Sequence, residues 1–464
     1  MPPNVEFESF PDDADSKVVH EYVPSGISML PKMTGRDTPA TGVDKWLECR
    51  RADDKVPDNL WRVHDTLYDL TDFLPKHPGG PSWLVRLRGT DITEPFEASH
   101  LQIENVRAIL KKYKVREADT PRYSPITFKE DGFYATLRRR CAPIIKAAGK
   151  APLKQSQRIA DSFLAAFIVL MTATAYFNSF ALAVVAGVVA ALLSVTSHNY
   201  GHQGDNFRMY YMDLTVLNNA DFRMSHATSH HLYPNTNWDL ELWGLEATWP
   251  LLPMTPVNEG KHTTSFLKTQ LLWFIGLPIS WVVRMKGMFW DGKEVVRPER
   301  FLMLIELWYM FKVSNSYLYP IPLFALMHCC SAWTLLSVGM YASHHVSTDH
   351  GTSWHAADDN MPTDFGLLQV ETTSDRIEVL GNPTLNLVSF GDHTLHHLFP
   401  TLDHAYLPLL YSPLVKTCKE FGVEFTFTTY MDHINGWFKQ LTRKEPQKDL
   451  VRVGRAVQKT KKEE

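Results

Sequence analysis

The sequence predicts a small α+β domain followed by an all-α membrane domain with four spans. Three features of the 464 residues support this division: residues 1–160 are polar, residues 162–196 carry no charged side chain, and ten of the 20 histidines gather in four clusters. The formal net charge of −4 and the pI of about 6.6 exclude the overall basicity of nucleic-acid-binding proteins. We therefore expect a membrane protein with no nucleic-acid partner.

Cysteine usage excludes two further classes of protein. The five cysteines are odd in number and form no CxxC pair. A disulfide framework and a cysteine-based zinc site are therefore not expected.

Composition divides the chain into five segments. They are a flexible N-terminal lead, a small folded domain, a basic juxtamembrane linker, a membrane domain and a basic C-terminal tail, and they cover residues 1–41, 42–117, 118–160, 161–442 and 443–464.

The first apolar stretch, residues 162–196, is too long for one membrane crossing. Its 35 residues would form roughly 50 Å of helix, whereas the bilayer core is roughly 30 Å thick. Asn178 and Ser179 interrupt it near the middle. We predict a helical hairpin that turns at these two residues. The alternative is one long tilted span and a buried helix.

Three more apolar stretches follow. Residues 318–342 predict a span, and residues 301–317 predict its hairpin partner. The stretch 266–285 is rich in tryptophan, and we interpret it as an interfacial helix, which leaves four spans. If it crosses instead, the later histidines lie on the opposite face of the membrane.

Charges near the first span predict the orientation. Residues 133–160 hold seven basic residues and no acidic one, which places the N-terminus in the cytosol by the positive-inside rule. Four spans then place the C-terminus in the cytosol as well. The final KKEE, with Lys461 and Lys462, looks like a dilysine retrieval signal, which predicts a multi-pass protein of the endoplasmic reticulum membrane.

Two histidines in the small domain could form a haem site. His77 belongs to an HPGG turn and His100 follows 23 residues later, each at the edge of a predicted short helix. Two neutral imidazoles facing each other can ligate a haem iron from both sides, and a six-coordinate iron passes single electrons. The alternative is that both are ordinary surface residues.

The segment WRVHDTLYDLTDFLPKHPGG, followed by GTDITEPFEASH, resembles cytochrome b5 over about 75 residues. The resemblance implies haem b with His77 and His100 as the axial ligands.

The membrane domain contains four histidine clusters: HNYGH, HATSHH, SHH and HTLHH. Spacings of three and four residues place imidazoles on one face of a helix, and the first and third clusters begin next to predicted spans. The residues are His198, His202, His226, His230, His231, His344, His345, His393, His396 and His397.

The number of histidines favours two metal ions. One zinc ion needs only three or four ligands, and the H-E-x-x-H pattern of zinc hydrolases is absent. Imidazole also suits iron and copper. An electron-donating haem domain on the same chain favours a redox metal, so iron acting with O₂ is the expected choice. A histidine-rich membrane-surface loop is the alternative for any single cluster.

The clusters resemble the three histidine boxes of membrane fatty-acid desaturases, in the branch with an N-terminal cytochrome b5 domain. The boxes correspond to His198/His202, to His226/His230/His231 and to His393/His396/His397, and His345 or His344 matches an extra metal ligand. Three features depart from the family pattern. Asn199 replaces an aspartate, box two has one additional residue, and His393 stands where this branch often has glutamine.

The resemblance implies an α+β cytochrome b5-like haem domain followed by an all-α four-span membrane desaturase-like domain. It also implies two non-haem iron ions with no catalytic side chain beyond their ligands, a lipid or acyl-CoA substrate, and NADH-cytochrome b5 reductase as electron donor. The expected reaction is O₂-dependent desaturation of a fatty acyl or sphingolipid chain. A lipid hydroxylase and a non-catalytic haem- and iron-binding protein remain the alternatives.

Overall fold

We describe the fold from a computed structural model. It describes residues 19–24, 42–241 without 235 and 237, 262–292, 296–342, 363–442 without 424 and 426, and 454–459.

Within these described residues the strands are few and short. They are β1 (Val19–Pro24), β2 (Trp61–Val63), β3 (Thr66–Tyr68), β4 (Lys114–Glu117), β5 (Ile126–Thr127), β6 (Thr363–Asp364), β7 (Asp375–Arg376), β8 (Phe427–Thr428) and β9 (Gly454–Lys459). The order β2-β3-β4 forms an antiparallel three-stranded sheet, and β1 pairs with β9 antiparallel. β5 pairs with β6 and β7 with β8, both in parallel.

Four helices complete the small N-terminal domain. They are α1 (Val43–Asp54), α2 (Pro81–Arg86), α3 (Thr93–Ser99) and α4 (Ile103–Leu110), with 3₁₀ turns at Thr71–Lys76 and Lys111–Tyr113. Trp61 of β2 is fully buried, and its indole donates a hydrogen bond to the carbonyl of Leu84. The predicted α+β character of this domain is confirmed.

Within the segment predicted as a linker, residues 133–148 form helix α5 (Phe133–Ala148). One face of α5 is buried and carries Phe133, Tyr134 and Leu137. Arg138 on the same helix bonds the Glu97 carboxylate of α3 at 2.9 Å. This part of the segment therefore belongs to the packed core.

The predicted helical hairpin is confirmed. Helix α6 (Ala151–Phe177) ends at Asn178, which adopts a left-handed conformation with φ of 49°. Helix α7 (Phe180–Gly201) begins after Ser179, whose hydroxyl accepts a hydrogen bond from the Leu182 amide as an N-cap. The polar pair thus ends one helix and caps the next.

The remaining helices follow in chain order. They are α8 (Asn219–Phe222), the π-helix α9 (Arg223–His230), α10 (His262–Lys286), α11 (Leu302–Val313), α12 (Pro320–Ala342), α13 (Phe365–Thr372), α14 (Pro383–Val388), α15 (His393–Leu398), α16 (Tyr411–Glu420) and α17 (Tyr430–Thr442). The 3₁₀ turns are Phe207–Leu214, Pro298–Phe301, Ile377–Val379 and His404–Leu410, and Gly287–Asp291 is a π turn.

Four helices among the described residues are long and apolar enough to cross a membrane: Ala151–Phe177, Phe180–Gly201, Leu267–Asp291 and Pro320–Gly339. The predicted number of spans is confirmed, but one member of the set differs. The predicted hairpin partner, residues 301–317, contains only the 12-residue α11, which is about 18 Å long and too short on its own.

Side chains on α10 and just after α11 contact other segments of the membrane domain. Ser314, just after α11, bonds Asn178 in the hairpin turn at 2.7 Å. On α10, Trp273 stacks on Trp437, and Arg284 pairs with Asp221 at 3.2 Å, five residues before His226. The Arg284 contact thus connects α10 to the segment that leads into box two. By length and composition α10 is itself one of the four candidate spans, so the prediction of an interfacial helix at residues 266–285 is not supported.

One hydrophobic core joins the two halves of the molecule. It includes Trp46 and Trp61 of the N-terminal domain together with Trp238 and Phe399 of the membrane domain. The Trp46 indole donates a hydrogen bond to the Trp238 carbonyl at 3.0 Å. This continuity places the two-histidine cavity beside the histidine boxes.

Candidate haem cavity and metal centre

His77 and His100 lie on opposite sides of a cavity of about 410 Å³. His77 follows the 3₁₀ turn Thr71–Lys76, and His100 follows α3. Their ring centroids are 6.5 Å apart and the ring planes meet at 75°. Two metal–imidazole bonds of about 2 Å each, together with the radii of the rings, account for a separation of this size. The pair therefore fits a metal held between the two rings.

Each ring is oriented by a backbone carbonyl. Nδ1 of His77 lies 2.8 Å from the Gly80 carbonyl, and Nδ1 of His100 lies 2.7 Å from the Phe96 carbonyl. Because a carbonyl only accepts, each Nδ1 carries the proton and each Nε2 is left to bind a metal. Burial lowers the pKa of His100, which keeps this imidazole neutral as ligation requires.

The two glycines of the HPGG turn are needed for different physical reasons. A Cβ on Gly79 would lie 2.9 Å from Cε1 of His77 and would push the ring out of place. Gly80 has φ of +97°, a conformation that favours glycine. The cavity is lined mainly by apolar side chains, including Leu70, Phe73 and Phe96. These observations fit a haem with His77 and His100 as axial ligands.

The three histidine boxes meet in one buried cluster. Box one ends α7, box two lies on α9 and box three lies on α15. Five imidazoles each offer a nitrogen within 4.8 Å of the other four, and all five are buried; they are His198, His202, His226, His231 and His396.

The nitrogens in this cluster face one another at hydrogen-bonding distance. Nε2 of His226 lies 2.8 Å from Nε2 of His198 and 3.0 Å from Nε2 of His231. Nε2 of His396 lies 3.2 Å from that of His198. Burial, reinforced by neighbouring imidazoles, holds the pKa of His231 and His396 well below the usual value. Neutral, converging imidazoles form the donor set that iron, copper or zinc takes.

The other three box residues surround this group. The ring of His397 stacks on that of His231 with centroids 3.9 Å apart, and His393 lies 4.7 Å from His397. His230 lies 5.3 Å from His397 and forms a second potential metal group with His226 and Glu241. Eight of the nine predicted ligands therefore come together. The ninth, His345, and its alternative His344 lie outside the described residues.

The π-helix explains the additional residue of box two. In α9 the amide of His231 bonds the carbonyl of His226, five residues earlier, at 2.9 Å. A π-turn aligns residues five apart, so His226 and His231 share a face although an α-helix would separate them. The insertion is thus absorbed locally, and both imidazoles reach the centre.

Side chains outside the boxes orient the ligands. Nδ1 of His226 donates to Glu241, and Nδ1 of His230 donates to Asp239, both at 2.8 Å. Burial would lower the pKa of His230, but the two carboxylates outweigh burial and raise it to about 9. Such carboxylate–histidine pairs fix the ring orientation and increase ligand basicity.

Sequence reasoning missed a further histidine at the centre. Nε2 of His404 lies 3.1 Å from Nδ1 of His396, and burial lowers the His404 pKa to about 3. His404 begins a 3₁₀ turn seven residues after His397, so it belongs to no box spacing. Asp239 and Glu241 were missed as well, because an acidic residue near a box carries no periodic signal.

Family models match two parts of the chain. Residues 46–119 match the Cytochrome b5-like Heme/Steroid binding domain, and residues 147–429 match the Fatty acid desaturase model. No solved structure matches the chain.

Curated relatives cover most of the chain. The "Cytochrome b5-related protein" of Drosophila melanogaster is 36% identical over 92% of this chain and 98% of its own length. The "Acyl-lipid (8-3)-desaturase B" of Dictyostelium discoideum is 24% identical over 85% of this chain and 93% of its own. The "Delta(5) fatty acid desaturase A" of the same organism is 24% identical over 81% and 89%.

Proposed function

This chain belongs to the fatty acid desaturase family and carries an N-terminal cytochrome b5-like domain, and on that basis we propose that it desaturates an acyl chain in a membrane lipid. The substrate is a fatty acyl or sphingolipid chain. Overall, a CH₂–CH₂ unit, O₂, two electrons and two protons give one CH=CH unit and two molecules of water.

The observation that carries the proposal is the convergence of the three boxes beside the two-histidine cavity. Eight box imidazoles from three separate segments gather in one buried cluster. His202 belongs to this cluster and also lines the cavity between His77 and His100. A binding protein for either group alone would not need this juxtaposition.

The side chains of this chain hold and orient the cofactors. When bound, two iron ions at the boxes would supply the oxidising power from O₂ that breaking an unactivated C–H bond demands. His198, His202, His226, His230, His231, His393, His396 and His397, with His345, would hold these ions, and His77 and His100 would hold haem b.

The surroundings of the ligands serve the same chemistry. Glu241 and Asp239 hold two ligand rings, and the Gln369 amide oxygen lies 3.1 Å from Nδ1 of His397. His231, His396 and His397 have no exposed surface, so bulk water is kept from this part of the centre. Electrons would come from NADH through cytochrome b5 reductase to the haem domain.

Two alternatives share these residues. A lipid hydroxylase would use the same centre and add oxygen to the C–H bond. A non-catalytic haem- and iron-binding protein is favoured by Asn199, where the family usually has aspartate. Identifying the product as hydroxylated or unsaturated distinguishes the hydroxylase from the desaturase. Measuring whether any product forms distinguishes the non-catalytic protein from both enzymes.

The test is lipid analysis in cells that lack the protein. Expression of the parent chain should produce a new unsaturated lipid, whereas His397→Ala, expressed at the same level, should not. A hydroxylated product would establish the hydroxylase. Absence of any new product from acyl-CoA and ceramide substrates, with iron bound, would establish the non-catalytic protein.

We also propose a multi-pass location in the endoplasmic reticulum membrane with both termini in the cytosol. Tags at residues 1 and 464 and between residues 240 and 260 should all be accessible from the cytosol in selectively permeabilised cells. A luminal tag at residue 464 would contradict this orientation.

A further inference from the structure

The cavity between His77 and His100 is not closed by the N-terminal domain alone. Part of its wall comes from the membrane domain, next to all three histidine boxes. These wall residues are His202, Gln203, Gly204, Ala227, Thr228, Pro400 and Thr401. Nε2 of His202 also lies 3.2 Å from Nε2 of His198 in the metal centre. One imidazole therefore borders both sites.

The two domains approach each other at backbone distance along this wall. The Asp205 amide donates to the Gly79 carbonyl at 3.3 Å. A Cβ on Gly204 would lie 3.2 Å from the carbonyl oxygen of Pro78, and a Cβ on Gly80 would overlap the Asp205 carboxylate. The HPGG turn, which orients His77, thus rests directly on the loop that follows box one.

Arg223 connects the elements that meet at this point. Its guanidinium is buried and pairs with Asp205 at 2.5 Å. It also donates to the Gly201 carbonyl at 3.1 Å and to the Gln203 carbonyl at 3.0 Å, both next to His202. On the other side it lies over the Trp83 ring, 4.6 Å from the centroid.

Domains of one chain move relative to each other unless their interface is large and apolar. Here Trp46 and Trp238 share one buried core. Away from the core, the Thr401 hydroxyl donates to the Ser99 carbonyl at 3.0 Å, one residue before His100. The contacts between the two domains therefore extend along the whole membrane-domain wall of the cavity. They favour one fixed arrangement of the two domains.

We propose that Arg223 is a positioning residue that locks the two-histidine cavity against the metal centre, with His202 as the partition between them. This inference rests on the proposed function. With both groups bound, His77 and His100 would hold the haem and the box histidines the iron so that one electron lost by ferrous haem, which would become ferric, would reduce a ferric ion of the centre without any movement of the domain. Arg223 itself touches neither reacting group.

The first measurement uses the purified full chain with ferric haem. The boxes are loaded with paramagnetic Co²⁺ in one sample and with diamagnetic Zn²⁺ in the other. If the two sites are held together, Co²⁺ shortens the electron spin relaxation time of the low-spin haem at least twofold relative to Zn²⁺. Equal relaxation in both samples overturns the proposal. Failure to load either metal overturns the metal centre and the inference that rests on it.

The second measurement compares variants with unchanged haem absorption and metal content. Arg223→Ala should reduce the Co²⁺ effect and slow haem reoxidation by the iron-loaded centre at least tenfold in stopped flow. Arg223→Lys should recover only part of the rate, because lysine cannot make the forked contacts. The control is Arg208→Ala, since Arg208 pairs with Asp161 at 2.8 Å on the membrane domain.

Parent-like relaxation and reoxidation in Arg223→Ala would remove Arg223 from this role. If the variant does not fold, the comparison of Co²⁺ with Zn²⁺ in the parent still decides whether the cavity is fixed. Both readouts are independent of lipid products. A chain that desaturates nothing can still show the relaxation effect, so the two proposals fail separately.

Discussion

The side-chain amide of Asn199 donates a hydrogen bond to the Asp403 carboxylate over 2.9 Å. Both residues are buried, and the Asn199 carbonyl oxygen accepts from the His404 amide at 3.1 Å. The carboxylate also accepts from the Ser156 hydroxyl at 2.9 Å. Asparagine at the box-one position that usually holds aspartate is therefore matched to a carboxylate supplied from beyond box three.

Asn199→Asp should destabilise the protein, because it places two buried carboxylates in contact. We expect a loss of roughly 2–4 kcal/mol and reduced iron content. Exchanging the two groups, in Asn199→Asp with Asp403→Asn, should restore at least half of the loss. Thermal unfolding in detergent and the ratio of non-haem iron to haem measure both effects. If Asn199→Asp alone keeps the stability and iron content of the parent, the claim that Asn199 is matched to Asp403 is wrong.

His404→Ala should weaken iron binding without removing a ligand. The substitution leaves Nδ1 of His396 without the imidazole that lies 3.1 Å away. Loss of such an orienting partner typically costs 10- to 100-fold in metal affinity. Titration of the metal-free protein with Fe²⁺ measures it, and the haem spectrum provides an internal control. Unchanged affinity would show that His404 does not orient His396.

His77→Ala or His100→Ala in the full chain should abolish the low-spin, two-imidazole haem spectrum. Both rings border the cavity, and each is held by a carbonyl. The matched control is His64→Ala in the same domain, since His64 is half-exposed and pairs with Glu97. Optical and electron paramagnetic resonance spectra of the reconstituted protein are the measurement. A low-spin spectrum in either ligand variant would exclude that residue as an axial ligand.

The purified chain should contain close to two non-haem iron ions, and His231→Ala or His397→Ala should each abolish most activity. The stacked rings of these residues belong to one centre, so their losses should not add in the double variant. His262 lies outside the boxes and serves as the control. Metal analysis and lipid products measure the outcome. Zinc in place of iron, or losses that add, would contradict a shared iron centre.

Glu97 should make stability fall in acid. Burial alone would raise its pKa, but hydrogen bonds from His64, Arg107 and Arg138 outweigh burial and lower it to about 2 from 4.5. A lowered carboxylate pKa contributes stability above pH 4.5 that is lost as the pH falls towards 2. The difference is worth roughly 3 kcal/mol.

Thermal unfolding of the parent and of Glu97→Gln at several pH values tests this. The difference in stability between the parent and Glu97→Gln should be largest near pH 7. It should shrink in acid, because the parent carboxylate becomes protonated. Ligand protonation affects both proteins and cancels in the comparison. A gap independent of pH would show that the carboxylate charge contributes nothing.

Local patterns predicted much of the fold and most of the site. The hairpin turn at Asn178 and Ser179 follows from two polar residues in an apolar run, and box spacing identified eight residues that meet. The span assignment failed in part, because hydropathy does not reveal that the helix after Pro298 ends at Val313. The centre's oxygen partners, Asp239 and Glu241, are recognised only once α9 brings box two beside them.

Contacts between distant segments could not be predicted. Trp46 and Trp238 are 192 residues apart, and no periodicity connects them. The same holds for Arg223, which looks like an ordinary arginine in sequence yet joins the box-one loop to Trp83. Specific packing between domains depends on shape, which a hydropathy pattern does not encode.

The shared core also has a consequence for biosynthesis. A ribosome adds residues at about 5–20 per second, so the 192 residues between Trp46 and its Trp238 partner take roughly 10–40 s to synthesise. Throughout that interval the face of α1 that carries Trp46 and Arg50 lacks the Trp238 side chain and backbone that cover it in the folded chain. The N-terminal domain therefore cannot complete its core until the second half of the chain has been synthesised.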